Sequence, residues 1–410
     1  MRPLQLVAFA ARNLQRNRRR TLVALLTIAV GFSALALFAG YTQNVYLGTR
    51  NQAIHGEMLG HLIVTRAGAG SVVLDPEKQL WKPDESRKID EVVGHAIPDA
   101  VVVPRLALSG LVSNGTISTI FVAEGVDPQL MRALRGPMAH ASGALDPAQP
   151  RGISLSRGLA KLLDVKAGDD VSLLASTVRG QANALDAQVI DVFDTGNAAT
   201  NDKVLFMPIE LARELMDAAG RADRLTIVLP HDGDAVRTRD SIAQMLRQQG
   251  IDATVRTWEE AAATYRQVKA MFDVIFAFMF GIVLVICMMA LFNVIAMNVI
   301  ERTREIGSLR AIGMTRGSVN ALFTIEAMLV VAAGGALGVL LTAAARLALN
   351  SSGIAYTPPN ATDAVPLTVG LALPSFAIIF ASMFAGAACA AGWAAYRRSR
   401  MPIVEALIHV

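Results

Sequence analysis

The densest run of complementary charge in the chain is Glu301-Arg302-Thr303-Arg304-Glu305, continued by Ile306-Gly307-Ser308-Leu309-Arg310-Ala311-Ile312-Gly313. On a helix, Glu301 and Arg304, like Arg302 and Glu305, are surface neighbours three positions apart. Ile306, Leu309 and Ile312 can share one apolar side while Arg302, Arg310 and Arg316 face water or a partner. That pattern suits docking rather than bond-making chemistry. A solvated turn between two apolar segments shows the same alternation, so charge alone leaves both readings open.

Other candidates for chemistry fail on spacing. No Gly-x-x-x-x-Gly-Lys occurs to cradle nucleotide phosphates, and Gly68-Ala69-Gly70 is only a loop glycine pair. His55, His61, His95, His140, His231 and His409 show no metal-ligand spacing. Ser154 and Ser156 follow Gly152 without completing Gly-x-Ser-x-Gly. The reading is a non-catalytic chain with no metal site and no cofactor of its own, and nothing suggests nucleic acid.

The elements that carry the charged run are set by composition. Of 410 residues, 53% are hydrophobic and only 18% charged, and mean hydropathy is +0.42; soluble chains carry roughly a quarter charged residues. Four windows lack Asp, Glu, Lys and Arg altogether: 21–49, 274–300, 327–345 and 364–396. Each approaches or exceeds the ~20 residues a helix needs to cross a bilayer. The net charge of +4 divides sharply: residues 1–20, 301–316 and 397–410 together carry +10, and everything else −6. Arg-rich pieces stay on the cytoplasmic side.

The expected order is therefore a basic segment 1–20, helix 21–45, an extracytoplasmic domain 46–270, helix 271–300 and a cytoplasmic helix 301–316. Helix 317–346, a short outer loop 347–366, helix 367–396 and a cytoplasmic tail 397–410 complete it. Both termini are expected in the cytoplasm. The first apolar run continues past Ala34-Leu35-Ala36 to about Tyr41, which favours a retained signal-anchor over a cleaved leader. Cys287 and Cys389 fall inside spans, leaving the outer domain without a disulfide. A bacterial inner membrane with a periplasmic domain is the setting this implies.

The outer domain reads as mixed α/β. Strands are expected at 61–65 and from Val101. A hairpin turns at Asn114-Gly115, and Gly152–Ser156 leads into a short helix at 158–163. A strand at 171–174, a helix 208–217 begun by Pro208, a strand 224–229 and a helix 234–249 capped by Gly250 follow. A final helix from Trp258 is expected to run unbroken into the second span. In the spans, Gly334-x-x-x-Gly338, Gly386 and Gly392 permit close helix packing. Glu326, an intramembrane carboxylate, should face protein or the interface because ionised groups are costly in lipid.

The run 301–313, with Glu326 and the Gly334/Gly335/Gly338 cluster, resembles the FtsX/MacB-type ABC permeases. So do the basic entry 11–20 and the tail Met401-Pro402-Ile403-Val404-Glu405-Ala406-Leu407. Gly60-His61-Leu62-Ile63-Val64 is similar to the lipoprotein-release branch, of the LolC/LolE kind. The resemblance implies an α-helical membrane protein with four spans and a large α/β extracytoplasmic domain between helices 1 and 2. It implies a second permease protomer, identical or paralogous, and cytoplasmic ABC ATPase subunits that bind ATP and Mg. It assigns ATPase coupling to Glu301, Arg302, Arg304, Glu305, Ile306, Gly307, Leu309, Arg310 and Gly313. ATP-driven closure would work the periplasmic domains, a mode called mechanotransmission. The substrate would be lipophilic: a lipoprotein, lipid or hydrophobic drug. Membrane lipids and a periplasmic adaptor or acceptor protein are further partners it allows. The alternative it implies is an FtsX-like transducer regulating a periplasmic hydrolase.

Overall fold

A computed structural model describes residues 18–69, 76–138, 143–230, 235–301, 307–308, 311, 313–357 and 361–399. The chain divides into a helical unit, within 1–46, 269–355 and 366–410, and an α/β unit, within 47–268 and 356–365.

Four long helices build the first unit: α1 (Arg18–Asn51), α2 (Ala263–Glu301), α3 (Arg316–Ser351) and α4 (Leu373–Ser399). Each contains a stretch long and apolar enough to cross a membrane. Their inner faces meet around Ile28, Phe32 and Leu35 of α1, Phe323 and Val331 of α3, and Ile379 and Met383 of α4. Phe32 stands edge-on to Phe376 and Phe380 at centroid distances of 5.8 and 6.2 Å.

The first helix runs past the expected 45 to Asn51, and two later helix starts also differ from expectation. The rod expected from Trp258 is broken. A capping box (Thr257 Oγ1 accepting from Glu260 N, Glu260 accepting from Thr257 N) starts one turn, Trp258–Ala261, and Ala262 then leaves the helical region at ψ 86° before α2 begins. The fourth helix begins at Leu373, not at 367, because Pro374 sits in its first turn, where its missing N–H is tolerated. Residues 367–372 are not helical.

The α/β unit is built on nine strands: β1 (Leu62–Arg66), β2 (Val101–Ser113), β3 (Ser118–Val126), β4 (Gly152–Ser156), β5 (Asp170–Ser176), β6 (Ala182–Phe193), β7 (Val204–Pro208), β8 (Arg224–Val228) and β9 (Ala253–Thr257). Their order is β3-β7-β4-β6-β5-β2-β8-β1-β9, and β2 also pairs with β3. That extra pairing closes β2-β3-β7-β4-β6-β5 into a six-stranded circuit. Leu106, Phe121, Leu155, Leu173 and Leu205 fill its core with helices 157–163 and 209–216. The first half of β2 leaves the circuit to join β8, β1 and β9 in an antiparallel sheet. Helices 83–96 and 235–248 contribute Ile89, Val93, Ile242 and Leu246 to that sheet's core, beside Trp81. β1, helix 83–96, β2, β8, helix 235–248 and β9 thus make a split β-α-β-β-α-β arrangement, with the rest of the circuit inserted between β2 and β8.

The hairpin turn forms as its residues dictate. Asn114 Oδ1 accepts the N–H groups of Thr116 and Ile117 at 2.9 and 2.7 Å, and Gly115 takes φ +93°.

Candidate functional site

Of the residues assigned to docking, Arg302, Arg304, Glu305, Ile306, Leu309 and Arg310 lie outside the described residues. Glu301 is the last residue of α2. Gly307 is helical and buried, Ser308 is helical and exposed, and Ala311 is helical. Gly313 ends the segment at φ +101°, a conformation that L side chains rarely adopt. Thr315 then opens α3: its hydroxyl accepts the N–H of Ser318 at 3.3 Å, and Met314 packs on the bundle core.

Glu326 lies on α3 and is 6% exposed. Val319, Phe323, Glu326 and Val330 recur every three or four residues and are all buried, so the carboxylate belongs to the face turned toward protein.

The glycines are spent on helix contact. A Cβ on Gly334 would meet Ile28 Cγ2 at 2.9 Å, and one on Gly338 would meet Phe32 Cβ at 2.9 Å, so this face of α3 lies directly on α1. Gly335 faces Phe380 of α4, and Gly386 of α4 faces the Met288 thioether of α2. Gly392 differs: among the described residues nothing lies within 4 Å of where its Cβ would stand. Position alone does not say which side of a four-helix bundle a glycine faces.

One polar arrangement was not foreseen. The non-helical run 367–372 is pinned between α1 and α3. Val369 N donates to Asn350 Oδ1 at 2.9 Å, and Val369 O accepts from Arg346 Nε at 2.9 Å and Asn350 Nδ2 at 3.2 Å. Gly370 N donates to Gly40 O at 3.0 Å, and Asn44 Nδ2 to Thr368 Oγ1 at 2.9 Å. Non-helical backbone next to lipid survives only if such partners satisfy it. Gly370 followed by Pro374 was the sequence signal for the break.

Between α1 and α2 runs an open groove of about 470 Å³, lined by Leu26, Val30, Ala34, Val283 and Ile286 among others. Among the described residues no three His, Cys, Asp or Glu side chains converge as a metal site would require.

Four apolar helices packed through glycines, with an α/β unit carried between the first and second, define an integral membrane protein with a domain outside the bilayer. Residues 21–245 match the MacB-like periplasmic core domain, and residues 277–403 match the FtsX-like permease C-terminal domain. The chain belongs to the MacB/FtsX-type family of ABC transporter permeases.

Among its relatives, an uncharacterized ABC transporter permease of Methanocaldococcus jannaschii is 21% identical over 91% of this chain and 92% of its own length. A macrolide export ATP-binding/permease protein MacB of Sodalis glossinidius is 24% identical over 97% of this chain. The chain spans only 59% of that MacB, and 32% of an Escherichia coli MacB that is 28% identical to it. The periplasmic region of MacB from Actinobacillus actinomycetemcomitans superposes with a TM-score of 0.36 at 13% identity, covering 50% of this chain and 92% of that one.

Proposed function

We propose that the chain is a permease subunit that couples ATP hydrolysis in a separate cytoplasmic ABC ATPase to movement of its periplasmic domain. In this reading it exports or extracts a lipophilic substrate such as a lipoprotein, lipid or hydrophobic drug. The observation that carries it is the order of parts: a periplasmic core match, then a permease match that begins in α2 and contains 301–313. In this reading ATP and Mg are bound by that ATPase. The charge asymmetry supports cytoplasmic termini in a bacterial inner membrane.

Two features support the finer parts of the reading. The groove between α1 and α2 is apolar enough for an acyl chain or drug. On α2, Ile275, Phe278, Ile282, Val285, Met289 and Phe292 are exposed at alternating spacings of three and four, the seam on which a helix pairs with a second protomer. A periplasmic adaptor or acceptor protein would receive the substrate.

The test is reconstitution with the ATPase that co-purifies. Glu305→Arg and Gly307→Leu are expected to abolish permease-stimulated ATP hydrolysis while the complex still inserts and folds. Full stimulation and transport in both variants refutes the coupling role. Mass spectrometry of the purified complex identifies the bound lipid or protein.

A further inference from the structure

Within the α/β unit, the end of α1 does not stop as an ordinary helix. It widens into a π-turn at Gln52–Gly56, with Glu57 N donating to Gln52 O at 2.7 Å, Leu59 N to Ala53 O at 3.2 Å and Gly60 N to Ile54 O at 3.0 Å. Widened turns of this kind are rare and cluster at functional positions. Two residues further on, Met58 is fully buried with φ +53°, and Gly60 has φ +63°. Glycine adopts that region freely; methionine does so only when its surroundings hold it there.

What holds it is a buried guanidinium. Arg105 is 1% exposed, and its Nη1 donates to the carbonyl of Met58. Arg105 also occupies a special place in the sheet. It pairs with Arg224 on β8 and with Val126 on β3, so it stands where β2 passes from one sheet to the other. Two arginines directly opposite each other repel. Glu124 of β3 lies between them, accepting from Arg105 Nη2 at 2.7 Å and from Arg224 Nη2, while Arg224 Nη1 reaches Asp223 at 2.7 Å. Burial works against the Glu124 carboxylate, but Arg105 and Arg224 outweigh it and hold its pKa below the usual range. Burial raises the pKa of Asp223. An apolar replacement of the whole cluster could be as stable, because buried ion clusters often do no better than apolar packing, whereas removing Arg105 alone would strand the Glu124 carboxylate. What an apolar side chain could not do is grip the Met58 carbonyl and the Glu124 carboxylate with one rigid fork.

We propose that Gln52–Gly60 is a two-state joint whose closed state is held by Arg105, a positioning residue that fixes where the end of α1 is received by β2 and β3. In the open state the Met58 carbonyl leaves Arg105 and Met58 relaxes out of the left-handed region. Gln52 and His55 belong to the same device: Gln52 Nε2 donates to Thr195 O at 2.9 Å, and His55 Nδ1 lies 2.9 Å from Leu134 O. If the transport reading holds, this joint is where displacement of α1 becomes displacement of the strands. The joint is tested without any ATPase, so its failure and the failure of that reading are separate outcomes.

The test is hydrogen exchange on the full chain in lipid nanodiscs. Arg105→Lys keeps the charge but loses the fork, and it is expected to speed exchange at the amides of Glu57, Leu59 and Gly60 at least tenfold. Amides of β1 and β8 should change less than threefold. Gln52→Ala removes the partly buried bond to the Thr195 carbonyl and leaves Arg105 and the Met58 side chain in place, so it is expected to speed exchange at the same amides at least threefold while β1 and β8 hold. Equal acceleration throughout the α/β unit makes Arg105 a general structural residue and overturns the joint. Unchanged exchange at 57–60 in Arg105→Lys overturns it too. Should Arg105→Lys fail to fold, Gln52→Ala decides, and unchanged exchange at 57–60 there refutes the proposal.

Discussion

Glu124→Gln is the perturbation whose size can be worked most directly from the structure. It removes the charge between Arg105 and Arg224, which occupy paired positions on β2 and β8. Arg105 is 1% exposed at its side chain, Arg224 17% and Glu124 21%, so little solvent is available to replace the carboxylate. Breaking a buried pair by removing one partner costs about 3–5 kcal/mol. The glutamine carbonyl still accepts one guanidinium hydrogen bond, which recovers about 1 kcal/mol. The expected loss is therefore about 2–4 kcal/mol, a large share of a stability of about 5–15 kcal/mol.

Urea unfolding of the full chain in detergent measures it. In a Trp393→Phe background the remaining tryptophans are Trp81 and Trp258, both buried in the α/β unit, so their fluorescence follows that unit alone. With a slope of about 3 kcal/mol per molar urea, a loss of about 3 kcal/mol lowers the midpoint by about 1 M. Glu214→Gln is the control: its pair with Arg151 is more than half exposed on both sides, and such pairs contribute little. The pH dependence gives a second check. A carboxylate whose folded pKa is depressed stabilises the fold fully above its unfolded value of about 4.3, and that contribution is lost as pH falls through the lower folded value. The gap between wild type and Glu124→Gln should close in acid below about pH 4. A midpoint shift no larger than that of Glu214→Gln, or a gap that persists in acid, refutes the reasoning.

Gly338→Leu places a side chain against Phe32 and the Ala29 carbonyl and should destabilise the helical unit by about 1–3 kcal/mol, read as a lower melting temperature in detergent. Gly392→Leu enters open space and should stay within about 0.5 kcal/mol of wild type; equal losses would show that the glycine face does not set the α1–α3 distance. Asn350→Leu strips Val369 of its N–H partner and of one of the two donors to its carbonyl. A cysteine at the buried Val369 should then react with a membrane-impermeant maleimide; silence in that assay would show that Arg346 and Gly40 suffice to hold the segment.

Charge and hydropathy made the four helices legible, because lipid tolerates so few charges that windows such as 274–300 stand out unaided. They could not place the start of α4. Leu367 to Ala372 is as apolar as a helix, yet it is not helical, and its backbone partners Arg346, Asn350 and Gly40 come from elsewhere in the chain. The expected rod from Trp258 failed for a local reason: the Thr257–Glu260 capping box closes a turn of its own before α2 begins. In the α/β unit, Asn114-Gly115 and Pro208 announced their elements. The closure of β2 onto both β3 and β5 has no local signature. Pro104 even argues against one continuous strand through 101–113, and only the pairing with Leu225 on β8 shows that strand accommodating it.

The polar chemistry of the two units follows opposite rules, and this bears on where movement is easy. In the helical unit the described hydrogen bonds tie Val369 and Gly370 to α3 and α1, Tyr46 of α1 to Asp273 of α2, and Cys287 Sγ to Thr27 O, while the core is apolar side chains and glycines. Such contacts let α1 and α3 approach closely, with no room for a Cβ at Gly334 or Gly338. Hardly any of α2 is buried within the bundle, against nearly half of α1, as expected if its exposed face pairs with a second protomer. In the α/β unit the reverse holds, since Arg105, Glu124 and Arg224 fix β2, β3 and β8 in one register. Separating β2, β3 and β8 would strand those buried charges, so displacement within the α/β unit is costly. Just beyond α1, within the α/β unit, the regular helical hydrogen bonding ends at Gln52–Gly56, and the same Arg105 that ties the strands together grips the Met58 carbonyl that follows it.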